Sequence, residues 1–248
     1  MPKLWISGTA MLLASCVPAT MAGFSEIAAQ PGAEQVDIRA IPFWKDGNFR
    51  VGNSQGSVRR VARDLAIGRG WEFLTLIPDV PGFMQGENTG RMTFTIAHPD
   101  LGGRAEARWV YSRGDARLGL GNVRLATATE PLAFNCRYQI DGRDAGAIRL
   151  YANPEDGASL TDGRTGEIVI DGTKLELETQ HGIAEINAGA YGTTGYVMVD
   201  GESQAVGALE LTGGNSQRAV LPNDPAKRRA ALLAAITLAL FWDPGDVG

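Results

Sequence analysis

Ser54 stands in the run Gly52-Asn53-Ser54-Gln55-Gly56, a Gly-x-Ser-x-Gly pattern. Two fixed glycines around a serine permit a strained turn that lifts the hydroxyl clear of the backbone, as a nucleophile requires. Such a serine needs a base, and the 248-residue chain holds two histidines, His98 and His181. Asp79 precedes His98 and Asp171 precedes His181, so either pair keeps the order Ser, Asp, His. Phe49-Arg50-Val51 before the turn reads as a short strand. After it, Val58, Val61, Ala62 and Leu65 fall at i, i+3, i+4 and i+7. That spacing predicts a short amphipathic helix from Ser57 as N-cap to Gly68 as the closing glycine, with Arg59, Arg60, Arg63 and Asp64 on its polar face.

Strand, tight turn and helix together resemble the elbow of an α/β-hydrolase. The resemblance implies a serine esterase with Ser54 as nucleophile and His98 or His181 as base. Other features oppose it. Few residues precede the turn, the downstream chain does not alternate helices with strands, and each histidine is followed by Pro or Gly. With 32 glycines in the chain, a bare glycine turn explains the motif more simply. The two cysteines, Cys16 and Cys136, form no Cys-x-x-Cys pair, which excludes zinc ribbons, iron–sulfur sites and disulfide frameworks. Cys136 alternates with Phe134 and Tyr138 on the apolar side of a strand pattern, so a buried thiol is expected. No calcium-loop run occurs, and neither metal nor cofactor is expected.

The beginning of the chain reads as an address. Lys3 is followed by the mostly apolar run Leu4–Leu13, too short to cross a bilayer and typical of a signal peptide over residues 1–15. Leu13-Ala14-Ser15-Cys16 resembles a bacterial lipobox, which implies a chain acylated at Cys16 and held to a membrane by lipid. Val17 after the cysteine implies, by the same resemblance, a periplasm-facing outer membrane lipoprotein. Ala19-Thr20-Met21-Ala22 offers the alternative of ordinary cleavage after Ala22 and a secreted or periplasmic protein. Residues 16–35 show no periodicity and read as a flexible tether.

Charge is spread unevenly. The whole chain carries −5, but residues 36–150 carry +4 and residues 151–248 carry −8. The overall balance argues against nucleic acid as a partner. Arg59, Arg60 and Arg63 are candidates for contact with anionic lipid or another envelope protein.

The body reads as antiparallel β-structure. Asp-Gly pairs occur at Asp46, Asp141, Asp156, Asp162, Asp171 and Asp200, and this dipeptide supplies the positive φ of a two-residue hairpin turn. Leu132–Ile140 and Ala145–Tyr151, Glu167–Ile170 and Lys174–Thr179, and Gly195–Val199 and Ala205–Leu211 flank three of these turns with strand patterns. Ten to twelve strands in a barrel or sandwich are expected, in one domain over residues 36–243, with 244–248 as a tail. Asn223-Asp224-Pro225 then starts a helix running to Trp242, and its thirteen residues from Ala230 carry no charge. A helix apolar all round must be enclosed, and thirteen residues at 1.5 Å span only about 20 Å, so protein and not bilayer encloses it. Hairpins ending in such a helix resemble the tubby-like, or LURP-one-related, barrel. The resemblance implies strands closed around the C-terminal helix and, by analogy only, association with phospholipid. The expectation is an exported envelope lipoprotein with a non-enzymatic binding, scaffolding or lipid-contacting role; the alternative is a serine esterase using Ser54.

Overall fold

The computed structural model describes residues 20–42, 45–66, 82–120, 123–152, 163–184, 186–189 and 193–241. The chain is mainly β. Nine strands run in order: β1 Glu34–Arg39, β2 Gly47–Val51, β3 Ser54–Ala66, β4 Gly82–His98, β5 Gly103–Leu120, β6 Val123–Ile140, β7 Arg143–Ala152, β8 Arg164–Ile170 and β9 Thr173–Gln180. A small hairpin follows, β10 Gly182–Ile183 and β11 Ile186–Gly189. Then come β12 Gly195–Val199, β13 Ala205–Glu210 and β14 Ser216–Leu221. All but β10 and β11 close into a twelve-stranded antiparallel barrel in the order 1-14-13-12-9-8-7-6-5-4-3-2. Among the described residues two α-helices complete the fold, α1 Phe24–Ala28 and α2 Pro225–Leu240.

Alternation along the strands builds the wall. Met92, Phe94 and Ile96 of β4, Ala105, Ala107 and Trp109 of β5, and Phe134, Cys136 and Tyr138 of β6 are all buried. The residues between them face out. Asp141-Gly142 and Asp171-Gly172 turn two hairpins with φ of 50°, 77°, 48° and 82°, the left-handed pairs of a type I′ turn. The third expected tight turn is a wider loop instead. Asp200 closes it by accepting the N–H groups of Glu202 (2.9 Å) and Gln204 (3.1 Å) with its side chain, and Ser203 takes the positive φ.

Helix α2 fills the barrel. Asp224 caps it, accepting from Ala226 N–H and Lys227 N–H, with Pro225 at the first helical position. Every residue from Ala230 to Leu240 is at most 2% exposed, on all sides of the helix. Thr237 is the polar residue of this run, and its Oγ1 lies 2.6 Å from the Tyr138 hydroxyl of β6. Burial holds that tyrosine well above its ordinary pKa, so it stays a neutral hydroxyl. The helix ends at Leu240; Phe241 packs edge-on against Phe134 and Tyr111, and Trp242 lies outside the described residues.

Two expectations are corrected. Ser57–Gly68 is no helix: its described part belongs to strand β3, paired with β2 through Gly47↔Val58 and with β4 through Gly56↔Ile96. The strand carries a bulge between Val61 and Arg63. Local helix propensity is weak against the pairing of two neighbouring strands. The one short helix expected near the start is present as α1. Finally, the stretch expected as a tether packs from Met21 onward: Met21, Phe24 and Ile27 are buried against Val197, Ala208 and Val220 on the outside of β12, β13 and β14. These strands are therefore covered on both faces, by α2 within and by α1 without. That explains why β12 and β13 are buried almost continuously along their length.

Candidate functional site

The barrel has two chemically different ends. Helix α2 enters at the first, and its three consecutive cations each meet a carboxylate from a different rim loop. Lys227 Nζ lies 2.7 Å from Asp200, Arg228 Nε 2.7 Å from Asp100, and Arg229 Nη1 2.7 Å from Asp171. Arg228 also pairs with Glu34. The lysine hydrogen bond holds the Asp200 carboxyl below its ordinary pKa and raises that of Lys227. Cations in a first helical turn oppose the helix dipole, and these four carboxylates compensate them. Lys227, Arg228 and Arg229 thus pin the helix into the barrel mouth. Beside them opens a cavity of about 310 Å³ lined by Arg143, Asp144, Asp171 and Arg229 with Leu101 and Ile140. Its two cations and two carboxylates leave it without a net sign.

Ser54 lies at this same end. Val51 pairs with Ser54, and Gly52 has φ 54°, so Gly52-Asn53 is the turn of a β-hairpin and not an elbow leading into a helix. His98 ends β4. Its Nδ1 accepts the Asp100 N–H at 3.2 Å, which leaves the proton of the neutral ring on Nε2. A ring in that tautomer donates from Nε2 and cannot take a proton there. Burial lowers the His98 pKa, with Asp100 opposing that shift. Among the described residues no imidazole lies within hydrogen-bonding distance of the Ser54 hydroxyl. His181 follows β9 at the opposite end from Asp171, which precedes β9; the eight residues of β9 between them extend about 26 Å. Asp171 and His181 therefore cannot belong to one triad. Asp79 lies outside the described residues.

The arginines expected on one helix face are divided by the strand. Arg59 is exposed, while Arg60 turns inward and donates from Nη2 to the carbonyls of Pro42 (2.8 Å) and Leu240 (3.4 Å). It thus caps the last turn of α2, a structural duty. The side chain of Arg63 lies outside the described residues, as does Cys16. Cys136 is fully buried, and desolvation pushes its thiol up to about 12. Among the described residues no group of three His, Cys, Asp or Glu gathers to hold a metal, and no helix is long and apolar enough to cross a membrane.

The second end holds the site that sequence reasoning missed. There the N-terminal segment joins the barrel. Ala184 N–H donates to the Thr20 carbonyl (2.8 Å), Ala22 N–H to Gly182 (2.9 Å), and Met21 bridges to Ile183. Met21 N–H donates to Glu210 Oε1 at 2.7 Å. Glu210 is 3% exposed and receives Arg218 Nε on its other oxygen at 2.7 Å. The Arg218 guanidinium sits 5.0 Å from the centre of the Phe24 ring. A buried carboxylate in β13 shared between a main-chain N–H and an arginine fastens the segment at one spot. The sole sequence signal is Glu210 itself, a charge ending the apolar strand Ala205-Val206-Gly207-Ala208-Leu209. From here the segment runs along β13 to the entry end, where Gln30 donates to the Ala205 carbonyl.

At this second end the sheet also outgrows the barrel. Strands β4, β5 and β6 have 17, 18 and 18 residues, whereas β7 to β9 have 7 to 10. Beyond the level of Phe241 they continue as an arm, with β3 as a fourth strand over Arg63–Ala66, paired to Glu87–Gly90. From Tyr111 to Leu120 the arm measures about 30 Å at about 3.3 Å per residue. No family model matches this chain, and searches of curated proteins and of solved structures find no match.

Proposed function

We propose that this chain is an exported bacterial envelope lipoprotein, acylated at Cys16, whose barrel has a non-enzymatic binding, scaffolding or lipid-contacting role at the membrane surface. The observation that carries the reading is the docking of the N-terminal segment. Cleavage after Ala22 would remove Met21, which is fully buried and bonded to Glu210. Processing at Cys16 keeps that contact. It also leaves only Val17, Pro18 and Ala19 between the acylated residue and the docked Thr20. Four residue steps reach at most about 14 Å, so the acyl chains would hold the barrel against the bilayer with no long leash. On this reading the barrel closed around an apolar C-terminal helix is a tubby-like architecture that serves this role. The partners on this reading are the membrane itself and anionic lipid or another envelope protein.

The test is the intact mass of the native protein purified from membranes. A chain beginning at an acylated Cys16 is expected, with Cys16→Ala releasing the protein from the membrane. A mature chain beginning at Gly23 without lipid would end the proposal. The serine esterase reading gains nothing from the hairpin at Ser54 or from the His98 tautomer.

A further inference from the structure

We propose that the outer wall over β3 to β7 is a docking surface for an acidic protein of the envelope. Strand register sorts this wall by charge. Arg59 of β3, Thr93 of β4, Arg108 of β5, Arg137 of β6 and Ala147 of β7 pair in one row across the sheet. The next row runs Arg91, Val110, Asn135 and Arg149 on β4 to β7. Trp109, Cys136 and Ile148 between them are buried, so by alternation both rows face outward. All five arginines are exposed. Arg108 is held by Glu106 at 2.7 Å. Among the described residues the side chains of Arg59, Arg91, Arg137 and Arg149 have no hydrogen-bond or ion-pair partner. Even Glu167, directly opposite Arg149, turns to Lys174 on the far side.

Stability alone does not ask for this arrangement. Arg108 and Arg137 stand directly opposite each other, and like charges so placed destabilise a sheet. The exposed large hydrophobic residues among the described ones, Val110 at 49% and Tyr151 at 50%, lie on this same wall. Val110 sits between Arg91 and Asn135, and Tyr151 is two residues beyond Arg149 on β7. Arginine and tyrosine around an exposed apolar side chain is the composition of a protein-binding surface, whereas a polyanion asks for cations alone. The four unpaired arginines fix the partner's sign as acidic. The chain's own acids on β8 and β9 are no match, since Glu167 and Glu176 already share Lys174.

The anchoring bilayer is not the occupant, a step that rests on the proposed acylation at Cys16. The N-terminal segment is docked outside β12, β13 and β14. In the closed order β13 and β5 are six strands apart in either direction, so they stand on opposite sides of the barrel. Twelve strands about 4.8 Å apart close a ring at least 18 Å across. Cys16 reaches at most about 14 Å from Thr20. An acylated Cys16 therefore cannot enter a bilayer that lies against the β5 wall. The basic wall is turned away from the anchor, toward other components of the envelope.

The test is made in the cells that produce the full chain, with photoreactive benzoylphenylalanine placed at Val110 and, as a control, at the exposed Glu202. Irradiation should join the Val110 chain to one protein, identified by mass spectrometry and joined through a peptide on an acidic face. The Glu202 chain should not capture it. The purified partner should bind the full chain about tenfold more weakly when Arg91→Glu and Arg149→Glu are combined, and more weakly as salt rises. Reversing the partner's acids to arginine should restore binding to that variant. Arg137→Glu should weaken binding while the melting temperature holds or rises, because the repulsion from Arg108 is gone; an arginine with a merely structural role would lower both. An adduct with a second copy, a lipid or a glycan overturns the proposal, as does one that the arginine changes leave unmoved. So does a Val110 chain that joins nothing. Wall and anchor fail separately: an acylated native chain without the protein adduct removes only the wall, and an unacylated native chain with it removes only the anchor.

Discussion

Replacing Thr237 by Val keeps the shape of the side chain and deletes one hydroxyl from the barrel interior. Thr237 and Tyr138 are both fully buried, and their oxygens are 2.6 Å apart. In Thr237→Val the tyrosine hydroxyl loses that partner and meets a methyl group; the neighbouring Cys136 sulfur is only a weak substitute. An unsatisfied buried hydroxyl costs about 1–3 kcal/mol. Tyr138→Phe leaves Thr237 free to bond the carbonyl four residues back in its own helix, so it should cost about 1 kcal/mol or less. The double variant removes both polar groups and should be more stable than the sum of the single costs by about 1 kcal/mol or more. Urea unfolding followed by tryptophan fluorescence measures all four chains, with an unchanged slope as the check that the fold is the same. Equal costs for the two single variants, or strictly additive ones, would refute the claim that this hydrogen bond ties helix to wall in a dry interior.

Leu233→Ala should destabilise by about 2–5 kcal/mol through the cavity it leaves, and Ala235→Asp by more, because the new charge has no partner within the barrel. Calorimetry reads both, and loss of residues 225–248 should abolish the cooperative transition altogether. The Asp200–Lys227 pair sets two pH limits. The depressed Asp200 pKa gives stability that is present above about pH 4 and lost as pH falls through the folded value; the raised Lys227 pKa gives stability present below about pH 10 and lost as pH rises through its folded value. Asp200→Asn should flatten both limbs of a plot of melting temperature against pH, and an unchanged plot would show that the pair contributes nothing. The Cys136 thiol, pushed up to about 12 by burial, should resist an aromatic disulfide reagent at pH 8 until urea unfolds the chain; rapid native-state reaction would show that the wall opens.

Much of the barrel is legible along the chain because its signals are local. Period-two alternation in Met92–Ile96 and Phe134–Tyr138 needs only one apolar and one wet face, and Asp141-Gly142 and Asp171-Gly172 carry the positive φ of their turns in their own chemistry. The charge-free run from Ala230 states that something must surround it. The helix reading of Ser57–Gly68 fails because apolar residues at i, i+3, i+4 and i+7 do not exclude a strand, and only pairing with β2 and β4 decides between the two. The same limit applies to Ser54, whose Gly-x-Ser-x-Gly string is identical in an elbow and in a hairpin until the next strand arrives. Arg60 reads as a surface cation, yet only the barrel brings it to the last carbonyl of α2, 180 residues further on. Met21 and Glu210 are 189 residues apart, so no local pattern announces that the N-terminal segment is docked. Periodicity and turn chemistry act over a few residues, and closure and docking are set by contacts between distant ones.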